Sequence, residues 1–302
     1  MKAVASNPRV AFQLASERAS LKGPGGKRLL VHLVVNVEHW PFAAAMPRAV
    51  LPSPHGRETI PDVCNFSWAE YGIRCGLPRL IELFGAQGLP ASASVNLDVI
   101  RVYPQAAEAM RRAGWEFIGH GLVQQAVTGV GEEEQIRRVA TELAEFAGGP
   151  VRGWLSPGLR ETAITPDLLA EQGFSYCMNW GIDDLPCWMA TRTGRLMAMP
   201  YSMELNDSVV FAVQNQPAAD FATRIMDTIA WFDRPEAAGR TAVLGIGLHP
   251  HLIAVPHRLV HLARALEALA ARDDVAFLTG SEIADWYAAA EPHPDDRGDT
   301  GP

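Results

Sequence analysis

Residues 29–40 read LLVHLVVNVEHW. The first nine, 29–37, make a nearly unbroken apolar run rich in β-branched side chains, the pattern of a strand buried on both faces in a parallel sheet. The run then turns polar, with Asn36 inside it and Glu38, His39 and Trp40 directly after it. In parallel α/β barrels the chemistry sits at the carboxyl ends of the strands. This stretch therefore indicates both the fold class and the place where a site is to be sought.

Outward from it, strand-like and helix-like segments alternate. Further strands are expected at 91–96 (ASASVN), 115–119 (WEFIG), 151–155 (VRGWL), 175–180 (SYCMNW), 242–248 (AVLGIGL) and 275–280 (VAFLTG). The spacing of Leu77, Leu80, Ile81 and Phe84, with Gly88 as a stop, predicts a helix over 76–87. Helices are also expected over 98–113, over 132–149 with acidic residues in its first turn, and at about 165–173, 219–232, 257–271 and 280–290. No repeat of 20–50 residues is visible. About seven β/α units in one domain favour an α/β barrel over an open sheet. That domain is expected to span 28–290, after an N-terminal arm, 1–27, that ends in the turn KGPGGKR. The polar, Pro-containing segment 291–302, EPHPDDRGDTGP, is expected to be a disordered tail.

Bulk properties narrow the function classes. With 302 residues, 48% of them apolar and 20% charged, the chain has ample material for a core. A net charge of −8 without a dense basic block argues against a nucleic-acid surface. No apolar run approaches the roughly 18 residues of a membrane span. Asn7, Pro8, Arg9, Glu17 and Arg18 interrupt the place where a secretory signal needs apolar residues, so a cytoplasmic location is expected. Cys64, Cys75, Cys177 and Cys187 show no CxxC or zinc-ribbon spacing and are expected as reduced thiols.

Polar, titratable residues cluster where the strands end. Besides Asn36, Glu38 and Trp40, these are His120 with Gln124 four residues on, the run Ser156–Glu161, the pair Asp183 and Asp184, and His249-Pro250-His251. Each has an ordinary structural explanation, as a cap, a turn or a core group. Of His249 and His251 the first, directly after its strand, is the better catalytic candidate. His257 and His261 stand one helical turn apart with no acidic neighbour and are expected on a solvated or packed face.

Taken in order, the N-x-E at 36–38 and the stretches YGIRCGLPRLIELF, GWEFIGHG, GWLSPGLRET, YSMELND, GLHPHLIAVPHR and FLTGSEIADWY resemble the polysaccharide deacetylase superfamily. The likeness runs from about residue 24 to 287 and is greatest to the branch with metal-independent allantoinase, cyclic imide hydrolases and peptidoglycan-deacetylase-like proteins. It implies a distorted (β/α)7 barrel and hydrolysis of an amide C–N bond. Metal-dependent members hold a divalent ion with an Asp and two His in an HxxxH pattern, use a second Asp as base and a late His as acid. By that resemblance Glu38 takes the place of the metal Asp, Asn36 that of the base, His120 that of the first metal His and His249 that of the acid, while Gln124 replaces the second metal His.

Two metal ligands, Glu38 and His120, fall short of the three protein donors zinc usually has, so the expected cofactor is none or a weakly bound zinc. His39 would join them only if the strand bends, because adjacent side chains point to opposite faces. Without metal, Glu38 is the expected general base, its pKa raised by burial beside Trp40, and His249 or His120 the acid. Asn36 and amides of the SPGLR turn are candidate oxyanion donors. Arg74, Asp183, Asp184, Glu204 and Asn206, with Asn36, Trp40 and Gln124, are candidates for binding substrate. An uncharged centre suits activated ring amides, imides and ureides. The leading expectation is thus a small-molecule C–N hydrolase that forms a homo-oligomer and has no nucleic-acid or membrane partner. The alternatives are a metal-dependent amino-sugar or polysaccharide N-deacetylase, and a degenerate barrel that only binds a ligand.

Overall fold

The computed structural model describes residues 5–53, 56–57, 59–126, 129–237 and 239–296. The first strand, β1 (Leu29–Val37), is buried along its whole length. Eight further strands join it: β2 (Ser92–Val95), β3 (Glu116–Gly119), β4 (Gly153–Trp154), β5 (Tyr176–Cys177), β6 (Cys187–Met189), β7 (Leu196–Ala198), β8 (Ala242–Leu248) and β9 (Val275–Phe277). Their order across the sheet is β6-β7-β5-β4-β3-β2-β1-β8, with β9 paired to the first half of β1. Every pairing is parallel except β6 with β7.

The sheet curls into a barrel that is not sealed by a full ladder. Between β8 and the β7 side, single contacts bridge the gap: Gly247 N–H donates to the Leu205 carbonyl at 2.8 Å, and Val243 N–H to the Asp184 carbonyl at 2.8 Å. The expected distorted α/β barrel is present, with two departures. The β6–β7 hairpin was not anticipated, because CWM and LMA are too short to show an alternating pattern. The strands expected over 151–155 and 175–180 pair over only two residues each.

Alternate residues of β1 explain why its sequence is apolar throughout. Leu29, Val31, Leu33, Val35 and Val37 pack outward into the main core, against the helix layer. Leu30 and Val34 face the barrel interior with Ile118, Tyr176 and Met199. His32, Asn36 and Glu38 share the inward parity. At the amino end, the Glu116 carboxylate seals the floor by accepting Gly280 N–H at 2.8 Å, Ser281 N–H at 3.0 Å and the Tyr176 hydroxyl at 2.9 Å. It caps the N-terminus of a helix over Gly280–Ala290, where a negative charge is favourable.

The helix predicted over 76–87 starts earlier. A helix Val63–Tyr71 continues through a π-helical turn, Gly72–Gly76, into Leu77–Gln87. Two glycines in that turn allow it to lie directly on the chain after β8: a Cβ on Gly72 would sit 2.4 Å from the His251 amide nitrogen, and one on Gly76 would sit 2.2 Å from the Pro250 carbonyl oxygen. The helix predicted over 98–113 is broken at Tyr103–Pro104. That predicted over 132–149 contains a π turn at Val139–Leu143.

The N-terminal arm lies on the barrel. Arg9 makes a two-pronged ion pair with Asp167 at 2.7 and 2.8 Å, and Arg18 pairs with Asp183 at 3.0 Å. The segment 291–296, expected to be disordered, also packs: Trp188 donates to the Glu291 carbonyl at 2.8 Å, and His293 stands against the Trp188 ring. Residues 297–302 lie outside the described residues. Among the described residues no helix is long and apolar enough to cross a membrane, and all four cysteines are free thiols.

Candidate active site

Three strands deliver one carboxylate and two imidazoles to a shared point. Glu38 follows β1 and is 7% exposed in its side chain. Its Oε2 accepts the Trp40 indole N–H at 2.8 Å. Its Oε1 faces His120 Nε2 at 3.7 Å and His249 Nε2 at 3.6 Å. His120 follows β3, with Nδ1 2.6 Å from the Leu155 carbonyl oxygen. Only a donor meets a carbonyl, so Nδ1 carries a proton, and the buried Nε2 facing Glu38 has no hydrogen-bond partner among the described residues. The side-chain amide of Asn96 holds the His120 carbonyl.

His249, directly after β8, is clamped by Asp207. Nδ1 is 2.6 Å from Asp207 Oδ1, while Asp207 Oδ2 accepts the backbone N–H of His249 at 2.7 Å and of Ile253 at 3.2 Å. Asp207 is fully buried. Burial alone would depress the His249 imidazole, but Asp207 and then Glu38 outweigh it and bring its pKa up to about 10. Burial likewise pushes the Glu38 carboxyl upward, yet the two imidazoles outweigh it and hold Glu38 well below the usual carboxylate range. This corrects the expectation of a raised Glu38: its neighbours, not its burial, decide its charge. His251 goes the other way, lowered to about 3 by burial and by the charge on His249. It packs edge-on to Trp40 and Trp68.

Glu38, His120, His249 and His251 line a cavity of about 620 Å³, within the range of small-molecule sites. Of the candidates for binding substrate, Asn36, Trp40, Gln124 and Asn206 line it. Four other candidates do not. Arg74 points to solvent, 73% exposed, and pairs with Glu70 one turn before it on the same helix. Glu204 is 75% exposed and pairs with Arg224. Asp183 pairs with Arg18 of the arm and lines a separate cavity. Asp184 caps the amino end of β8 through its carbonyl, the far end of the strand from His249. Trp188 packs against Tyr287 and His293, away from this cavity. His39 turns away from Glu38 toward the Tyr103 ring, so the bend that would make it a ligand does not occur.

Asn36 and the Ser156, Leu159 and Arg160 amides of the SPGLR turn, all proposed oxyanion donors, are otherwise engaged. Both N–H bonds of the Asn36 amide are committed, to the Tyr201 hydroxyl at 2.9 Å and the Leu248 carbonyl at 3.3 Å. In the SPGLR turn, Leu159 N–H bonds the Ser156 carbonyl and Arg160 N–H the Pro157 carbonyl. Two residues of this site that the sequence did not single out are Asp207, on His249, and Tyr201, in the cavity wall. Both lie in YSMELND, where nothing in the spacing separates Asp207 from Glu204. The π-helical turn Ser208–Val213 begins directly after Asp207, and a turn of that kind leaves little trace in a sequence pattern.

The donor set does not suit a resident metal ion. Among the described residues no three His, Cys, Asp or Glu side chains stand together as a metal-binding group. Glu38 and His120 offer two donors. His249, clamped by Asp207 at Nδ1 and drawn toward its protonated form, stands where the resemblance places the acid rather than a ligand. Gln124 adds only a neutral amide oxygen, buried and without a hydrogen-bond partner among the described residues. Gln124→His is accordingly expected to create a zinc site with Glu38 and His120. The variant should retain zinc through gel filtration and lose it again on adding Glu38→Gln, as read by metal analysis.

No family model matches this chain. It is 26% identical over 246 residues, 74% of this chain and 76% of the other, to a Schizosaccharomyces pombe protein assigned to the polysaccharide deacetylases. Among solved structures, a PuuE allantoinase superposes with a TM-score of 0.80 at 26% identity, covering 92% of this chain and 96% of that one. A Pseudomonas aeruginosa protein assigned to the polysaccharide deacetylases superposes with a TM-score of 0.82 at 25% identity, covering 91% and 96%. Covering about nine tenths of the chain, that likeness supports a polysaccharide deacetylase superfamily member that hydrolyses amide C–N bonds.

Proposed function

We propose that this hydrolase opens small cyclic amides, imides or ureides without a resident metal ion. The observation that carries the reading is the convergence of two imidazoles of different character on one Glu38 oxygen, His120 with a nitrogen that has no partner among the described residues and His249 clamped by Asp207. A water between Glu38 Oε1 and His120 Nε2 would donate one proton toward each and turn a lone pair into the cavity. Its attack on the ring carbonyl forms the C–O bond as Glu38 takes the proton. Collapse of the tetrahedral species breaks the C–N bond as His249 gives its proton to the leaving nitrogen, and Glu38 then returns its proton to His249 through solvent. A group with a pKa near 10 is a weak acid at neutral pH. Neutralising Glu38 in the first step removes one of the two anions that hold the proton, so His249 becomes a stronger acid as the nitrogen departs.

The size of the cavity supports a small ring over a polymer, as does the similarity to an allantoinase. The test is hydrolysis of a panel of succinimide, glutarimide, hydantoin, allantoin and N-acetylated sugars before and after exhaustive chelation. Ring opening at an unchanged rate after chelation is expected. Acetate release from the sugars that chelation abolishes and zinc restores would establish the metal-dependent deacetylase instead.

A further inference from the structure

We propose that the Tyr201 hydroxyl is the donor that receives the tetrahedral oxyanion during amide cleavage. The inference rests on the amidase reading above and adds the electrophilic side of the site, which Glu38, His120 and His249 do not supply.

Tyr201 is 3% exposed and lines the cavity that holds Glu38 and His249. Its hydroxyl oxygen meets two side-chain amides, Asn36 Nδ2 at 2.9 Å and Asn206 Nδ2 at 3.2 Å. The orientation of each amide is fixed independently. Asn36 Nδ2 also faces the Leu248 carbonyl, which only a nitrogen can do. Asn206 Oδ1 accepts the Ser208 N–H at 2.9 Å, which leaves its nitrogen for Tyr201. Both amides therefore donate, and both acceptor positions of the phenol are filled. The hydroxyl proton must point elsewhere, and no described residue accepts it. A buried polar hydrogen without a partner on the wall of a reaction cavity is a preorganised donor.

The chain is shaped to hold the oxygen there. Gly247 of β8 lies beside it, where a Cβ would come within 2.5 Å of the hydroxyl oxygen, and Gly245 leaves room for the Tyr201 backbone. Asn36 precedes Glu38 by two residues on the inner face of β1, so one strand positions both the base and a support for the donor. Asn206 is bridged to Gly247 and is followed by Asp207, so the loop that carries Tyr201 also carries the partner of His249. Burial raises the phenol well above its ordinary value despite the two amides, with the carboxylates of Asp207 and Glu38 adding to the effect, so it stays a donor throughout the working range.

The test compares Tyr201→Phe with replacement of Tyr201 by 2,3,5,6-tetrafluorotyrosine, acidic enough to titrate below the His249 limb, on whichever member of the imide and ureide panel the parent enzyme opens. Tyr201→Phe is expected to lower kcat by about 10²- to 10³-fold with little change in KM. The fluorinated side chain keeps the donor but ionises more easily, so it should retain activity at pH 7 and move the alkaline limb of kcat downward. Should Tyr201→Phe perturb folding, the fluorinated protein decides: a merely structural tyrosine would leave the limb where it is. Parental kcat in Tyr201→Phe, or an unmoved limb, overturns the proposal while leaving the amidase reading intact. Failure of the parent enzyme to open any member overturns both.

Discussion

Glu38→Gln is expected to abolish ring opening, with kcat/KM falling by at least about 10³-fold, because an amide cannot take the proton of the attacking water. The variant should fold, since a Gln oxygen can still accept the Trp40 N–H now bonded to Glu38. The substitution has a second, independent consequence. Glu38 is one of two anions that hold the proton on His249, so removing it lowers the pKa of that imidazole from about 10. The two shifts act on stability in opposite pH directions. Glu38 is depressed by folding, so its contribution is present above the unfolded carboxyl value of about 4.5 and is lost as pH falls through its folded value. His249 is raised by folding, so its contribution is complete below about 6.5 and is lost as pH rises toward and through 10. These two groups thus favour maximal stability between about pH 4.5 and 6.5. In Glu38→Gln the alkaline decline should be smaller and finish at lower pH, and the acid decline should be shallower. Urea melts at pH 3.5, 6 and 9.5 measure both. A variant that keeps more than a tenth of parental activity would remove Glu38 from the role of base.

What could be read from the sequence follows from how each residue is tied to its strand. Glu38, His120 and His249 are each the first inward polar side chain after an apolar strand, and strand register carries them to one rim without help from the loops. Asn36 is placed by the same rule. Arg74, Glu204, Asp183 and Asp184 are not bound by it. Arg74 sits on a helix whose π turn was invisible in the spacing, and its exposed face is where an i, i+4 partner, Glu70, was already available. Asp183 found a cation on the N-terminal arm, a segment whose path over the barrel no periodicity encodes. Tyr201 reads as one more apolar core residue until the two amides at its oxygen are seen. The fold, by contrast, was legible nearly throughout: β1 and β8 fall on the predicted residues, because long apolar runs leave little freedom in register.

Asp207→Asn is the sharper test of how the site is divided between base and acid. Oδ2 of Asp207 receives two backbone N–H groups, from His249 and Ile253, and that position must remain an oxygen. In the variant the amide nitrogen is therefore forced into the place of Oδ1, facing His249 Nδ1. A donor there requires a lone pair on Nδ1, so the imidazole becomes neutral with its proton on Nε2. A neutral imidazole can still hydrogen-bond the leaving nitrogen but is far too weak an acid to release the proton to it. A loss of about 10²- to 10⁴-fold in kcat is expected, comparable with the effect of the same change in serine hydrolase triads. Structural damage alone would scale activity at every pH. A positioning role predicts a change of profile: the parent stays active up to a limb near pH 10, whereas the variant should gain activity as pH falls and the imidazolium is restored. A variant whose limb stays near pH 10 while its overall rate drops would mean that Asp207 only supports the fold. The proton donor would then have to be sought at His120, whose unpartnered Nε2 is the other nitrogen facing Glu38.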